Sequence, residues 1–284
     1  MKDSEIFIVG ANGQLGLALR EKYPGAQYAD IDELDITDKK SVENFDWSGI
    51  KYILNAAAYT NVDGAETPEG RVLCWAVNAD AVANLVAVAA HYDITLVHIS
   101  SDYVFDGTKE IHDEDEAFAP LSVYGSSKAA GDLTVSLAPR FYILRITWLI
   151  GEGKNFVRTM LELAHKGINP TVVDDQIGRL TFTSELVRAI DHLLVKQPQY
   201  GTYNLSNSGE SMSWADITRK IFEYAGVNNK VTNTSTAEYF SNKTGIAPRP
   251  LQSTLNLDKI QVTGFESRDW VDDLKEYVSK ELKK

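Results

Sequence analysis

Tyr124 and Lys128 stand four residues apart in Tyr124-Gly125-Ser126-Ser127-Lys128, and Ser101 closes an apolar stretch that begins at Thr95. On a helix, positions i and i+4 share one side, so the phenol and the ammonium lie about one turn apart. A phenol with a pKa of about 10 is a poor acid and base at neutral pH, and an adjacent ammonium lowers that pKa by stabilising the anion. A hydroxyl at the end of a strand can donate to a carbonyl oxygen that is gaining charge. The chemistry these three residues suit is carbonyl reduction by hydride. Tyr124 would supply the proton, Ser101 would steady the oxyanion, and Lys128 would tune the phenol and grip a nicotinamide ribose.

A hydride donor needs a coenzyme, and Gly10-Ala11-Asn12-Gly13-Gln14-Leu15-Gly16 follows the first apolar run. Glycines at 10, 13 and 16 suit a tight turn, close approach of a pyrophosphate, and close packing of helix on strand. The next helix offers unpaired N–H groups and the positive end of its dipole to an anion. The spacing is G-x-x-G-x-x-G, so the motif gains its meaning from context. Asp30 lies 20 residues after Gly10, where a carboxylate can accept hydrogen bonds from an adenosine ribose. Asp32 and Asp35 are alternatives for that role. A carboxylate there favours NADH over NADPH, while Lys39 and Lys40 could offset it, so the coenzyme is NADPH or NADH. Asn55-Ala56-Ala57-Ala58 supplies small residues along the expected path of the dinucleotide.

These groups need a scaffold that brings strand ends together. Short apolar runs at residues 6–9, 52–54, 95–99 and 141–144 alternate with helical stretches at 15–22, 76–91 and 126–138. Continuous apolar strands separated by helices imply an α/β fold whose doubly wound, Rossmann-like parallel sheet is covered on both faces. A closed eight-unit barrel is the competing arrangement. The second half carries more Gly, Asn, Pro and Thr, with helices expected at 156–165, 184–194 and 214–224. We therefore expect a dinucleotide-binding domain over 1–148 and a smaller C-terminal substrate-binding domain over 149–284, with a strand at 202–205 rejoining the first sheet.

The 284 residues are 44% apolar and 24% charged, as in an ordinary globular protein. Forty acidic against 28 basic residues leave a net charge of −12, which disfavours nucleic acid and anionic membranes as partners. The N-terminal apolar stretch is too short for a signal-peptide core and no uninterrupted 18-residue apolar run occurs, so a cytoplasmic protein is expected. A single cysteine, Cys74, excludes an intrachain disulfide and a cysteine-built zinc site, and it reads as core. The five histidines lack metal-ligand spacing. His98 with Ser100 or Ser101 and Asp102 invites a hydrolase triad, but no G-x-S-x-G elbow surrounds either serine. His112-Asp113-Glu114-Asp115-Glu116 reads as a solvated acidic loop ahead of the active-site helix.

Taken together, the motifs resemble those of the extended short-chain dehydrogenase/reductases, and within them the dTDP-4-dehydrorhamnose reductase family. The resemblance runs almost end to end. It rests on the glycine turn, Leu34-Asp35-Ile36-Thr37, Asn55 through Asp63, Ser100 through Gly107, Arg145-Ile146-Thr147-Trp148, Asn155-Phe156-Val157, Asp175-Gln176-Ile177-Gly178 and Arg249-Pro250. It implies reduction of the C4 ketone of dTDP-6-deoxy-L-lyxo-4-hexulose to dTDP-L-rhamnose, with Ser101, Tyr124 and Lys128 as catalytic residues. Gly10, Asn12, Gly13, Gln14, Leu15, Asp30, Asp35, Ile36, Ala56, Ala57, Ala58 and Tyr59 would then hold the coenzyme with Tyr124 and Lys128. Val62, Ser101, Tyr103 and Trp148 would meet the substrate, and Asn155, Gln176 and Arg249 would help hold its diphosphate. Ser101 stands where the family usually has Thr, and Leu180 where it usually has Pro. Some members bind magnesium at a dimer interface through a glutamate at the position of Ala18, so no metal site and a monomer or weak homodimer are expected. A nucleotide-sugar epimerase or dehydratase, or a non-catalytic coenzyme-binding subunit of the same fold, are the alternatives.

Overall fold

A computed structural model describes residues 1–284. Six parallel strands form one sheet, in the order Gly201–Leu205, Phe141–Ile146, Thr95–Ser101, Tyr52–Asn55, Ile6–Val9, Gln27–Ala29. All four residues of Ile6–Val9 are buried, as a strand covered on both faces requires. Ile6 and Ile8 enter one core with the helices Gln14–Lys22 and Thr183–Lys196, whereas Phe7 and Val9 enter the opposite core with Lys39–Asn44 and Ala81–His91. That alternation is the period-two pleat of the strand. The sheet is open, with Gly201–Leu205 and Gln27–Ala29 at its edges, so the barrel alternative falls away.

Strand order reverses beside Ile6–Val9, because the chain moves outward to Gln27–Ala29 and then returns to Tyr52–Asn55 on the other side. A crevice forms at the carboxyl ends of strands at such a switch point. Residues from the second half build a further core around Leu161, Leu180, Ile221 and Trp270, with helices Phe156–His165, Trp214–Ala225 and Trp270–Glu281. Leu180 is fully buried there, which gives the departure from proline a packing role.

Three local expectations need correction. The helix expected at 76–91 begins at Pro68 and continues to His91, with a π-type stretch at Ala76–Asp80. Thr67 caps it and Pro68 occupies the first turn, where its missing N–H costs nothing, so proline here starts a helix. By length and composition it could cross a bilayer (mean hydropathy 1.7), yet half of its most apolar window is buried, with Ala81, Val82, Leu85, Val88 and Ala89 in the core. The helix expected at 126–138 spans Val123–Val135, because Ser122 accepts from Gly125 N and Glu66, far off in sequence, accepts from Val123 N. Tyr124 therefore sits in its first turn.

The third correction concerns residues 112–116, which are solvated only in part: Asp113 and Asp115 are exposed, but the others turn inward. His112 is fully buried and stacked on Phe105, with ring nitrogens against Glu116 and the Gln252 carbonyl. Glu114 accepts from Asn204 N, on the edge strand, while its carbonyl accepts from Arg145. An edge strand leaves backbone donors unpaired, and this strap satisfies one of them.

Candidate active site

The glycine turn opens directly from Ile6–Val9 at the switch point. Gly10 has φ of +75°, and a Cβ on it would lie 2.6 Å from Ala57 N. A Cβ on Gly16 would lie 2.2 Å from the Gly10 carbonyl oxygen, so only glycine lets the helix sit this close to the turn. Gly13 is open by comparison, its nearest neighbour being Gly10 O at 3.4 Å. The helix Gln14–Lys22 starts at Gly13 with no side-chain cap and no acidic residue in its first turn. Its first N–H groups are thus left to an outside anion.

A cleft of about 330 Å³ runs along this turn, and Gly10, Gly13, Asp30, Asp35, Ile36, Ala56, Ala57, Ala58 and Tyr59 all line it. These are residues expected to hold the coenzyme, drawn together from three segments, and their small side chains and open turn fit a dinucleotide. Five expected contacts have other occupations as well. The Leu15 side chain is in the core, which leaves its backbone to face an anion. Asp35 accepts from the N–H and hydroxyl of Thr37. Asp30 accepts from Asn12 N at 2.8 Å and Ile31 N at 2.9 Å, so it braces the turn. Gln14 reaches the Lys154 carbonyl, and Asn12 Oδ1 accepts from Arg20.

Ser101 ends the strand Thr95–Ser101, and the helix Val123–Val135 packs beside it. A Cβ on Gly125 would lie 2.3 Å from the Tyr103 carbonyl oxygen, so glycine after Tyr124 permits the close approach. The Ser101 hydroxyl lies near enough to the Tyr124 phenol to favour its anion, and Tyr103 meets the Tyr124 ring edge-on at 5.4 Å. The Ser101 hydroxyl donates to Asp102 Oδ1 at 2.9 Å. Burial pushes the Asp102 carboxyl up to about 6, against the pull of hydrogen bonds from Ser253 and Ser101.

The tuning of the phenol differs from expectation. Burial pushes Tyr124 well above the usual tyrosine range, and the nearby Ser101 hydroxyl offsets this only in part. Lys128 donates to the Ile99 carbonyl at 2.6 Å instead. Burial lowers Lys128 to about 8, while the Asp132 carboxylate one turn on pulls the other way. Tyr124 is thereby held as a protonated acid, which suits donation of a proton. His98, held below its ordinary range by burial, bonds with Asn55 and not with a serine, so no hydrolase triad forms.

Three residues not evident from the sequence, Asn78, Asp132 and Trp214, support this arrangement. Asn78, in the π-type stretch, binds the N–H and carbonyl of Tyr59 on the cleft wall and donates to Ser127 Oγ on the Tyr124–Lys128 helix. π-Type stretches are frequent at functional sites, and a polar Asn-Ala-Asp interruption of an apolar helix was the available signal. Asp132 pairs with Arg145 at 2.9 Å, both nearly fully buried, and fastens the same helix to Phe141–Ile146. Trp214 stacks on Trp148 with ring centroids 3.8 Å apart. Trp148 itself has φ of +37°, an unusual conformation for a bulky residue and one found at ligand sites.

In the second half, two expected diphosphate contacts are spent within the protein. Asn155 caps Phe156–His165 through Arg158 N and donates to Gly151 O and Tyr277 Oη. Arg249 Nη2 contacts both carboxylate oxygens of Asp63 at 2.8 and 2.9 Å, and Nη1 donates to Ala247 O. It ties the C-terminal segment to the loop after Tyr52–Asn55. Gln176, also nearly buried, donates to Thr236. Val62 is half-buried on the Asp63 loop.

The sequence profile of a family described as the RmlD substrate binding domain matches residues 4–283. A dTDP-4-dehydrorhamnose reductase from Aggregatibacter actinomycetemcomitans is 36% identical, over 94% of this chain and 96% of its own length. Among solved structures, a dTDP-4-dehydrorhamnose reductase from Clostridium acetobutylicum is 36% identical with a TM-score of 0.89, covering 98% of this chain and 99% of the other. A dTDP-4-dehydrorhamnose reductase from Bacillus anthracis, solved in complex with NADP, is 35% identical with a TM-score of 0.89, covering 99% and 100%.

Proposed function

The chain belongs to the RmlD substrate binding domain family, and from that membership we propose that it is an NAD(P)H-dependent reductase converting dTDP-6-deoxy-L-lyxo-4-hexulose to dTDP-L-rhamnose. The observation that carries this reading is the placing of the Tyr124 phenol near Ser101 at the end of Thr95–Ser101, with Lys128 one turn on and bonded to the Ile99 carbonyl of the same strand, which ends next to the strand that leads into the alanine wall of the cleft. A nicotinamide coenzyme, when bound, supplies the hydride.

The protein's own residues do the rest. Gly10, Gly13 and the N–H groups that open Gln14–Lys22 hold the diphosphate, and Ala56, Ala57 and Ala58 form the wall opposite. Ser101 turns its hydroxyl from Asp102 to the ketone oxygen and stabilises the charge that grows there. Tyr124, kept neutral by burial, gives its proton to the same oxygen. Lys128 spends one N–H on Ile99 O, so two remain for a ribose and for the phenolate left behind. The Trp148 and Trp214 stack offers an apolar face to a deoxy sugar, with Tyr103 and Val62 completing the substrate side.

The charge on Lys128 sets a pH limit. Its ammonium is fully present below about 8 and is lost as the pH rises through that value, while Tyr124 remains protonated. We expect kcat/KM to fall on the alkaline side with a midpoint near that pKa. A pH–rate profile that stays flat to about 9.5 would remove the ammonium from the mechanism.

Net oxidation of coenzyme distinguishes this function from epimerisation or dehydration, in which the coenzyme is regenerated. Stoichiometric loss of the reduced-nicotinamide absorbance with the ketosugar nucleotide is the expected outcome. Binding of coenzyme without turnover would favour the non-catalytic alternative.

A further inference from the structure

We propose that Arg20, laid on the Tyr28 ring beside the glycine turn, is the cation that recognises the 2′-phosphate of NADPH and so sets the coenzyme choice. This rests on the cleft being the coenzyme site. Arg20 Cζ lies 4.0 Å from the Tyr28 ring centroid, and its Nη1 donates to Asn12 Oδ1 at 3.1 Å. Seven other arginines of the chain are ion-paired, at 140, 145, 158, 188, 219, 249 and 268. Arg20 has no such partner, although Asp30, Asp32 and Glu33 follow closely on Tyr28 in a chain with 40 acidic residues. Its charge is left for something else.

Asn12 joins this guanidinium to the expected ribose position. The Asn12 N–H goes to Asp30 Oδ2 and the Asn12 side-chain oxygen receives Arg20, so the carboxylate and the cation share one residue of the turn. A carboxylate in this place holds an adenosine ribose, and an arginine nearby accommodates a 2′-phosphate. Stacking on Tyr28 occupies the face of the guanidinium and leaves its N–H edge for oxygens, the geometry in which arginine grips phosphate. Lys39, offered by the sequence as an alternative cation, pairs with Glu43 on its own helix at 3.6 Å. Without Arg20, Asp30 and Glu33 would leave this corner repulsive to a dianion.

Calorimetric titration of the full chain with NADPH and with NADH tests the assignment without turnover. The Arg20→Gln protein is expected to lose about tenfold or more in NADPH affinity and to keep NADH affinity within about twofold. Arg20→Lys, which keeps the charge but not the fork, should fall between. Equal losses for both coenzymes, or unchanged NADPH affinity in Arg20→Gln, would overturn the proposal. Because the readout is binding, a failure to reduce the ketosugar would be seen separately and would count against the reductase function instead.

Discussion

Tyr124→Phe is expected to lower kcat by about 10²–10⁴-fold while coenzyme affinity stays within about twofold, since a positioned general acid contributes on that scale. The phenylalanine ring keeps the edge-on contact with Tyr103 and removes only the hydroxyl. The fold is therefore expected to survive the change, and the loss to lie in the proton transfer. Steady-state kinetics with coenzyme titrations check both halves. A variant that keeps turnover within about tenfold of the unmodified protein would show that another group delivers the proton.

Arg145→Met is expected to cost about 3–5 kcal/mol of stability, the range for breaking a buried ion pair from one side. Arg145 Nε donates to Asp132 Oδ2 at 2.9 Å, and its Nη1 donates to the Glu114 carbonyl. Its guanidinium also lies over the Phe105 and Phe118 rings. Burial already pushes the Asp132 carboxyl upward, and Arg145 is the chief influence holding it down. Removing Arg145 thus strands a carboxylate one turn beyond Lys128. The double variant Arg145→Met with Asp132→Leu should recover much of the loss, because the carboxylate stranded by the single variant is then absent. Urea unfolding of the two proteins decides it, and a double variant no more stable than the single one would contradict the explanation.

The strands were legible in the sequence because a sheet covered on both faces demands short, continuous apolar runs, and Ile6–Val9 and Thr95–Ser101 show them plainly. Helix starts were harder to read, since distant groups decide them. Glu66 meets the backbone of Val123 57 positions away, and nothing in the local pattern announces it. The same divide runs through the site. The i, i+4 spacing of Tyr124 and Lys128 and the glycine turn are local signals. The Arg249–Asp63 pair, 186 residues apart, is a tertiary fact, so the local sequence does not reveal that Arg249 also joins two segments. Likewise the charged run His112 to Glu116 looks solvated on composition, yet an edge strand with a free N–H draws it inward. Residue type predicts what a group can do, while its partners decide what it does.

The central claim is that this constellation passes one hydride, with one proton, to the C4 ketone of a dTDP-4-keto sugar. The most direct measurement uses coenzyme deuterated at the transferable position of the dihydropyridine ring, incubated with dTDP-6-deoxy-L-lyxo-4-hexulose and followed by NMR. One equivalent of coenzyme should be oxidised for each product molecule, with deuterium at C4 of dTDP-L-rhamnose. Product formed without net oxidation, or deuterium found at another carbon, would contradict the account.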